Sequence, residues 1–206
     1  MNYKAFATIG CLVLSGLVVC GQKAEYRIVS RSFQDNGSAG VHLGEADGVG
    51  IAWIKGVSFN EGTIELDIKG RDVLQRSFVG FVFHGVNDST YEAVYFRPFN
   101  FRNPDPERKV HAVQYIANPE YDWPVLREKF HNKYEQPVSP APDPTGWFHA
   151  KMSVTKEKIE VFVDGSATPS LVVAPPLVQR NGRQAGFWVG NGSDGDFKNL
   201  RITYAK

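Results

Sequence analysis

Hydrophobic and polar residues alternate with a period of two over much of this chain. In residues 147–155 (WFHAKMSVT), Phe148, Ala150, Met152 and Val154 share one parity, while Trp147, His149, Lys151 and Ser153 share the other. Residues 158–164 (KIEVFVD) place Ile159, Val161 and Val163 on one side, and residues 63–69 (TIELDIK) do the same with Ile64, Leu66 and Ile68. Successive side chains of a strand point to opposite faces, so each segment predicts a strand with one face in a core. Residues 77–86 (SFVGFVFHGV) are apolar on both parities, which predicts a central strand covered on both sides. Further strands are expected at 26–32, 41–44, 48–54, 91–97 and 110–116, and as short consecutive pieces within 186–204. No long segment has helical periodicity. Residues 120–129, following Pro119, are expected to form a turn or two of helix. The pattern as a whole predicts an all-β sandwich, and 206 residues suit one such domain.

Proline changes this picture in one region. None occurs before Pro98, and nine of the twelve fall between Pro98 and Pro144. Proline cannot donate to a sheet ladder, so this stretch is expected to be a long connection draped over the sandwich. It also carries Phe99, Phe101, Tyr115, Tyr121, Trp123, Phe130 and Tyr134. A connection so rich in large rings either packs on a sheet or lines a binding surface.

Residues 1–21 stand apart from the core pattern. Lys4 supplies a positive start and 5–19 form an apolar run too short and interrupted to span a bilayer, which predicts a secretory signal, with 22–206 as the mature domain. Export to the periplasm or the extracellular space follows. Leu17-Val18-Val19-Cys20 also resembles a lipoprotein box, so a lipid anchor at Cys20 is the alternative to simple export. Both cysteines, Cys11 and Cys20, lie in this segment, so the mature domain is expected to lack disulfides and thiol chemistry. With Lys4 removed, 22 basic residues face 22 acidic ones, without a long basic run, which argues against nucleic acid as a partner.

Several motifs resemble the concanavalin A-like lectin/glucanase superfamily, a jelly-roll of two curved antiparallel sheets. Asn60-Glu61-Gly62-Thr63-Ile64-Glu65-Leu66-Asp67-Ile68 is similar to an early strand of laminin G-like domains. Phe162-Val163-Asp164-Gly165 is similar to their hairpin, and Gly186-Phe187-Trp188-Val189-Gly190 with Phe197-Lys198-Asn199-Leu200-Arg201-Ile202 to their closing strands. The segments Val94-Tyr95-Phe96-Arg97-Pro98-Phe99-Asn100-Phe101, Val113-Gln114-Tyr115-Ile116 and Pro119-Glu120-Tyr121-Asp122-Trp123 resemble exported bacterial domains related to 3-keto-disaccharide hydrolases. The resemblance implies work on oligo- or polysaccharides outside the cytoplasm, on the concave face of one sheet. Three readings follow: a carbohydrate-binding domain, a glycosidase-type hydrolase acting on keto-glycosides, and a laminin G-like domain that binds a protein through residues 118–135.

The residues bear unequally on these readings. Glycoside hydrolysis normally needs two carboxylates flanking the bond. The family 16 glycosidases of the superfamily carry E-x-D-x-x-E on one strand; here Glu65 and Asp67 fit, but Gly70 occupies the third acidic position. Both acids then read as the polar face of an ordinary strand. His84 and Glu92 are the remaining catalytic candidates, because elimination beside a keto group needs only one base. If Phe81 and Phe83 face the core, His84 shares the concave side with Tyr95 and Arg97, and Asn100, Gln114, Trp123 and Arg127 form a wall. Rings that stack on sugar C–H faces beside Arg, Asn and His donors suit saccharide binding. Arg97 has a structural alternative, an ion pair with Glu92, Glu120 or Glu128. No H-x-H or H-E-x-x-H spacing supports zinc. Residues 190–196 (GNGSDGD) read either as a tight hairpin or as a structural calcium loop through Asn191, Asp194 and Asp196.

Overall fold

A computed structural model describes residues 24–205. The expected signal segment and Cys20 lie outside these residues. The described chain forms fourteen strands: β1 (Tyr26–Val29), β2 (Phe33–Asp35), β3 (Val41–Ala46), β4 (Gly50–Ile54), β5 (Gly62–Lys69), β6 (Val79–Gly85), β7 (Tyr91–Phe96), β8 (Val113–Asn118), β9 (Glu135–Gln136), β10 (Phe148–Val154), β11 (Ile159–Val163), β12 (Leu171–Val173), β13 (Gln184–Val189) and β14 (Ser193–Tyr204). Two short helices, α1 (Pro106–Val110) and α2 (Trp123–Lys129), interrupt the long connection.

The strands form two seven-stranded sheets, ordered β1-β4-β13-β6-β7-β8-β9 and β12-β11-β10-β5-β14-β3-β2. We call them the front and back sheets; in each, neighbouring strands pair antiparallel. This is the concanavalin A-like jelly-roll. The alternation read from the sequence decides which side of each back-sheet strand is buried. On β5, Ile64, Leu66 and Ile68 are fully buried, while Thr63, Glu65, Asp67 and Lys69 are partly exposed. Rings interlock the two layers: Phe148 of β10 meets Phe96 of β7 at 4.9 Å and Phe101 at 5.1 Å, and Phe187 of β13 stacks on Phe197 of β14 at 4.8 Å. Each such side chain contributes about 1.5–3 kcal/mol by leaving water.

The front sheet differs from the back one in being buried on both faces. Every residue of β7 is buried, as are Val79–Phe83 of β6. On the side turned away from the back sheet, Trp188, Gly80, Tyr95 and Gln114 lie in register across four strands. Gly80 has no side chain to separate its neighbours, so the Trp188 and Tyr95 rings stack above it at 4.8 Å. Among the described residues, no helix is long and apolar enough to cross a membrane.

Three expectations change. A strand at 110–116 gives way to helix α1 followed by β8, which starts at Val113. Asp105 caps α1 by accepting from the Glu107 amide, and Pro106 sits at its first turn, a start signal that the strand-like run beyond it obscures. The helix expected at 120–129 is α2, which begins at Trp123 because the Asp122 carboxylate accepts from the Trp123 amide. Trp147, expected to open the strand at 147–155, precedes β10 and is 38% exposed, with the Lys198 ammonium 4.1 Å over its ring.

Candidate functional site

Strands β7 and β8 bring together most of the residues expected to form the wall and floor. Arg97, one residue beyond β7, donates to Tyr95 Oη at 2.8 Å, to the His111 carbonyl at 2.9 Å and, through a very short contact, to Gln114 Oε1. The Tyr95 hydroxyl also donates to Gln114 Oε1, at 2.9 Å. Asn100 donates to the His111 carbonyl. The ion-pair partner of Arg97 is Glu135 of β9, at 3.5 Å, rather than Glu92, Glu120 or Glu128. Glu135 in turn receives a two-pronged contact from Arg127 of α2, Nε at 2.9 Å and Nη2 at 2.7 Å.

These contacts correct the expected floor. Tyr95, Arg97, Asn100 and Gln114 are all buried and spend their polar atoms mainly on one another. The physical reason is the full burial of the front sheet: a charged Arg97 beneath the long connection requires a carboxylate and several acceptors to replace water. Trp123, at 44% exposure, and Arg127, with about a third of its side chain exposed, are the wall residues that reach solvent. The Arg127 guanidinium lies 5.1 Å over the Trp123 ring, so both groups are held in place. Two atoms beside the Arg97 network, Gln114 Nε2 and Asn100 Oδ1, are buried without a hydrogen-bond partner, whereas His111 Nδ1 lies 2.8 Å from Glu135 Oε2.

The electrostatics of the cluster follow from its burial. Burial alone would push the Glu135 carboxyl up, but hydrogen bonds and charge from Arg127, with Arg97 and His111, outweigh it and hold the group below its ordinary value. Burial pushes the Tyr95 hydroxyl up to about 12 despite the nearby Arg97 charge, so it stays protonated and donates. Burial lowers His111, against the pull of Glu135.

His84 does not belong to this face, contrary to the parity expectation. Between Gly186↔Val82 and Gln184↔Gly85 the register slips, which leaves one extra residue on β6. That bulge puts His84 at φ +50° and swings its ring onto the side of Phe83 and Glu92. There Nδ1 lies 2.7 Å from Glu92 Oε1 and Nε2 lies 2.5 Å from the Asn60 carbonyl. The Tyr115 hydroxyl donates to the other Glu92 oxygen. His84 and Glu92 line a cavity of about 250 Å³ at one end of the sandwich, with Asn60, Lys156, Arg180 and Arg183. Nothing in the sequence ties Tyr115 or Arg180 to His84, because the bulge that gathers them depends on cross-strand register.

The expected calcium ligands are otherwise engaged. Asp194 pairs with Arg71 at 2.5 Å, Asp196 with His42 at 2.7 Å, and Asn191 Oδ1 accepts from the Gly48 amide at 2.7 Å. Residues 190–192 form the tight β13–β14 turn, with Gly192 at φ +62°. Among the described residues, no group of three or more His, Cys, Asp or Glu could hold a metal ion. We therefore expect the melting temperature to be unchanged by EDTA; a drop of several degrees, reversed by calcium, would contradict this reading. Glu65 and Asp67 lie on the outer face of the back sheet, where Asp67 meets His149 at 2.8 Å and Asn199 at 2.7 Å, as ordinary polar surface residues do.

No protein-family model and no curated protein matches the sequence. Solved structures do match the fold. The carbohydrate binding module CBM66 from Bacillus subtilis aligns with a TM-score of 0.62 at 14% identity, over 86% of this chain and 94% of that one. A protein of unknown function with a galectin-like fold, also from Bacillus subtilis, aligns at 0.57 and 11%, over 87% and 89%. The exoplasmic/lumenal domain of VIP36, bound to Ca2+ and Man3GlcNAc, aligns at 0.58 and 10%, over 84% and 85%. At these identities the likeness concerns the fold.

Proposed function

We propose that this protein is an exported carbohydrate-binding β-sandwich that takes an oligo- or polysaccharide against the outer side of its front sheet. Trp123 is the stacking ring and Arg127 the hydrogen-bond donor. The observation that carries this reading is an exposed indole fixed beside a guanidinium that Glu135 already holds from two directions. Little conformational freedom is lost when a sugar docks on such a pair. The partnerless Gln114 Nε2 and Asn100 Oδ1 atoms add unused hydrogen-bonding capacity behind it, and buried polar atoms are normally paired. Carbohydrate binding by the named fold neighbours CBM66 and VIP36 agrees with this use of the fold.

Titration with an oligosaccharide identified on a glycan array tests the proposal. Trp123→Ala is expected to weaken binding at least tenfold, on the order of the 1–3 kcal/mol that aromatic and cation–π contacts supply, with an unchanged melting temperature. Unaltered binding in that variant would refute the site. Catalysis by His84 has less support, because both of its ring nitrogens face acceptors and neither is free to take a substrate proton.

A further inference from the structure

The end cavity holds an arrangement that the Trp123 surface does not need. Glu92 is 1% exposed and lies on the inner, core-facing side of the front sheet, opposite Phe83. A carboxylate in that position costs several kcal/mol of desolvation, and an apolar residue of similar size would serve the core better. Here it is retained with two dedicated partners, His84 and Tyr115, at a cavity wall. The backbone at His84 adopts the left-handed region to complete the arrangement, and such departures concentrate where a site requires them.

Lys156, Arg180 and Arg183 also line the cavity. Lys156 lies 3.7 Å from Glu61, and Arg180 is committed to Glu120 and to the Asn118 carbonyl, at 2.7 Å for the latter. The exposed Arg183 guanidinium has neither a hydrogen bond nor an ion pair among the described residues, and Arg180 Nε is buried without a hydrogen-bond partner. With Lys156 paired to Glu61 and Arg180 to Glu120, Arg183 is the cation of the lining left without a carboxylate. Asn60 and Gln179 add neutral hydrogen-bonding groups. The volume of about 250 Å³ is enough for one six-membered ring.

We infer that this cavity is a second binding site, separate from the Trp123 surface, for a single hydroxylated ring bearing a carboxylate, a uronic acid or the uronate end of an acidic glycan. The carboxylate meets Arg183 in the planar fork geometry that guanidinium offers. The hydroxyls face the amide groups of Asn60 and Gln179.

The test is an NMR and calorimetric titration of the full domain with D-glucuronate, D-glucose and acetate. Glucuronate is expected to saturate, to move the His84 ring resonances, and to bind more tightly than either comparison compound. Arg183→Ala, an exposed position in a loop, is expected to weaken glucuronate binding about tenfold or more, the effect of one charge-assisted contact. Trp123→Ala is expected to leave glucuronate binding unchanged, which separates this site from the first. Absence of saturation, still His84 resonances, or indifference to Arg183→Ala would overturn the inference. So would acetate binding as tightly as glucuronate, which marks a bare anion site, or glucose doing so, which removes the role of the carboxylate. Glucuronate binding lost in Trp123→Ala but kept in Arg183→Ala would also overturn it, while leaving the Trp123 proposal standing.

Discussion

Replacing Glu135 with alanine is expected to destabilise the domain by about 3–5 kcal/mol at pH 7, the range seen when one member of a buried ion pair is removed. Glu135 is 2% exposed and receives Arg127 from one side and Arg97 from the other. Arg127 can turn toward solvent when the carboxylate goes. Arg97 cannot: its side chain is 6% exposed beneath the long connection, so its charge is left with only neutral acceptors. Urea denaturation measures the loss, and a change under 1 kcal/mol would show that Arg97 does not depend on this partner. Removing both charges, as Arg97→Met with Glu135→Leu, is expected to recover most of the stability, because paired apolar replacements of buried ion pairs are often neutral.

The same residue sets a pH dependence with a definite sign. The folded-state value of Glu135 lies below the ordinary 4.5. Its contribution is therefore complete above about pH 4.5 and is lost as pH falls through the lower folded value. Stability of the wild-type domain should fall along that acid limb, and Glu135→Gln should flatten it. An acid limb of equal steepness in the variant would assign the effect to other carboxylates.

Gly80→Ala is the second change with a large expected effect. A Cβ at this position would stand 2.1 Å from the Val94 carbonyl oxygen and 2.5 Å from the Tyr95 Cα. Both are backbone atoms of the neighbouring strand, so no side-chain rotation relieves the contact and β6 must move from β7. Overpacking a dense core typically costs 1–3 kcal/mol, and we expect about 3 kcal/mol here because the obstruction is main chain. The stacked Trp188 and Tyr95 rings lie over the same residue, so their near-ultraviolet circular dichroism should change as well. A variant with wild-type stability and spectrum would mean that the sheet tolerates a wider spacing at this point.

The sandwich was legible wherever one face of a strand meets solvent. Strands β5, β10 and β11 follow the alternation read from TIELDIK, WFHAKMSVT and KIEVFVD, because a period of two is imposed by the backbone itself. Short elements escaped. β9 and β12 have two and three residues and carry no period, and β9 is the strand that delivers Glu135. The candidate site was legible in its members more than in their roles. Tyr95, Arg97 and Gln114 do converge, but as an internal network. His84 moved to the opposite side because a single extra residue on β6 reverses the parity on which its placement rested.

What the sequence determined by itself was the local and periodic part: which residues line a core, where strands run, and that charge is nearly balanced, at +1, in a chain of 206 residues. Only the tertiary structure decided which polar groups are buried and with whom. It pairs Arg97 with a glutamate 38 positions away and closes the end cavity with residues from five separate segments. The reason is that alternation records the contrast between core and water, one residue at a time. A bulge, a covered sheet face or an ion pair is a relation between distant residues, fixed by register and packing density rather than by any period along the chain.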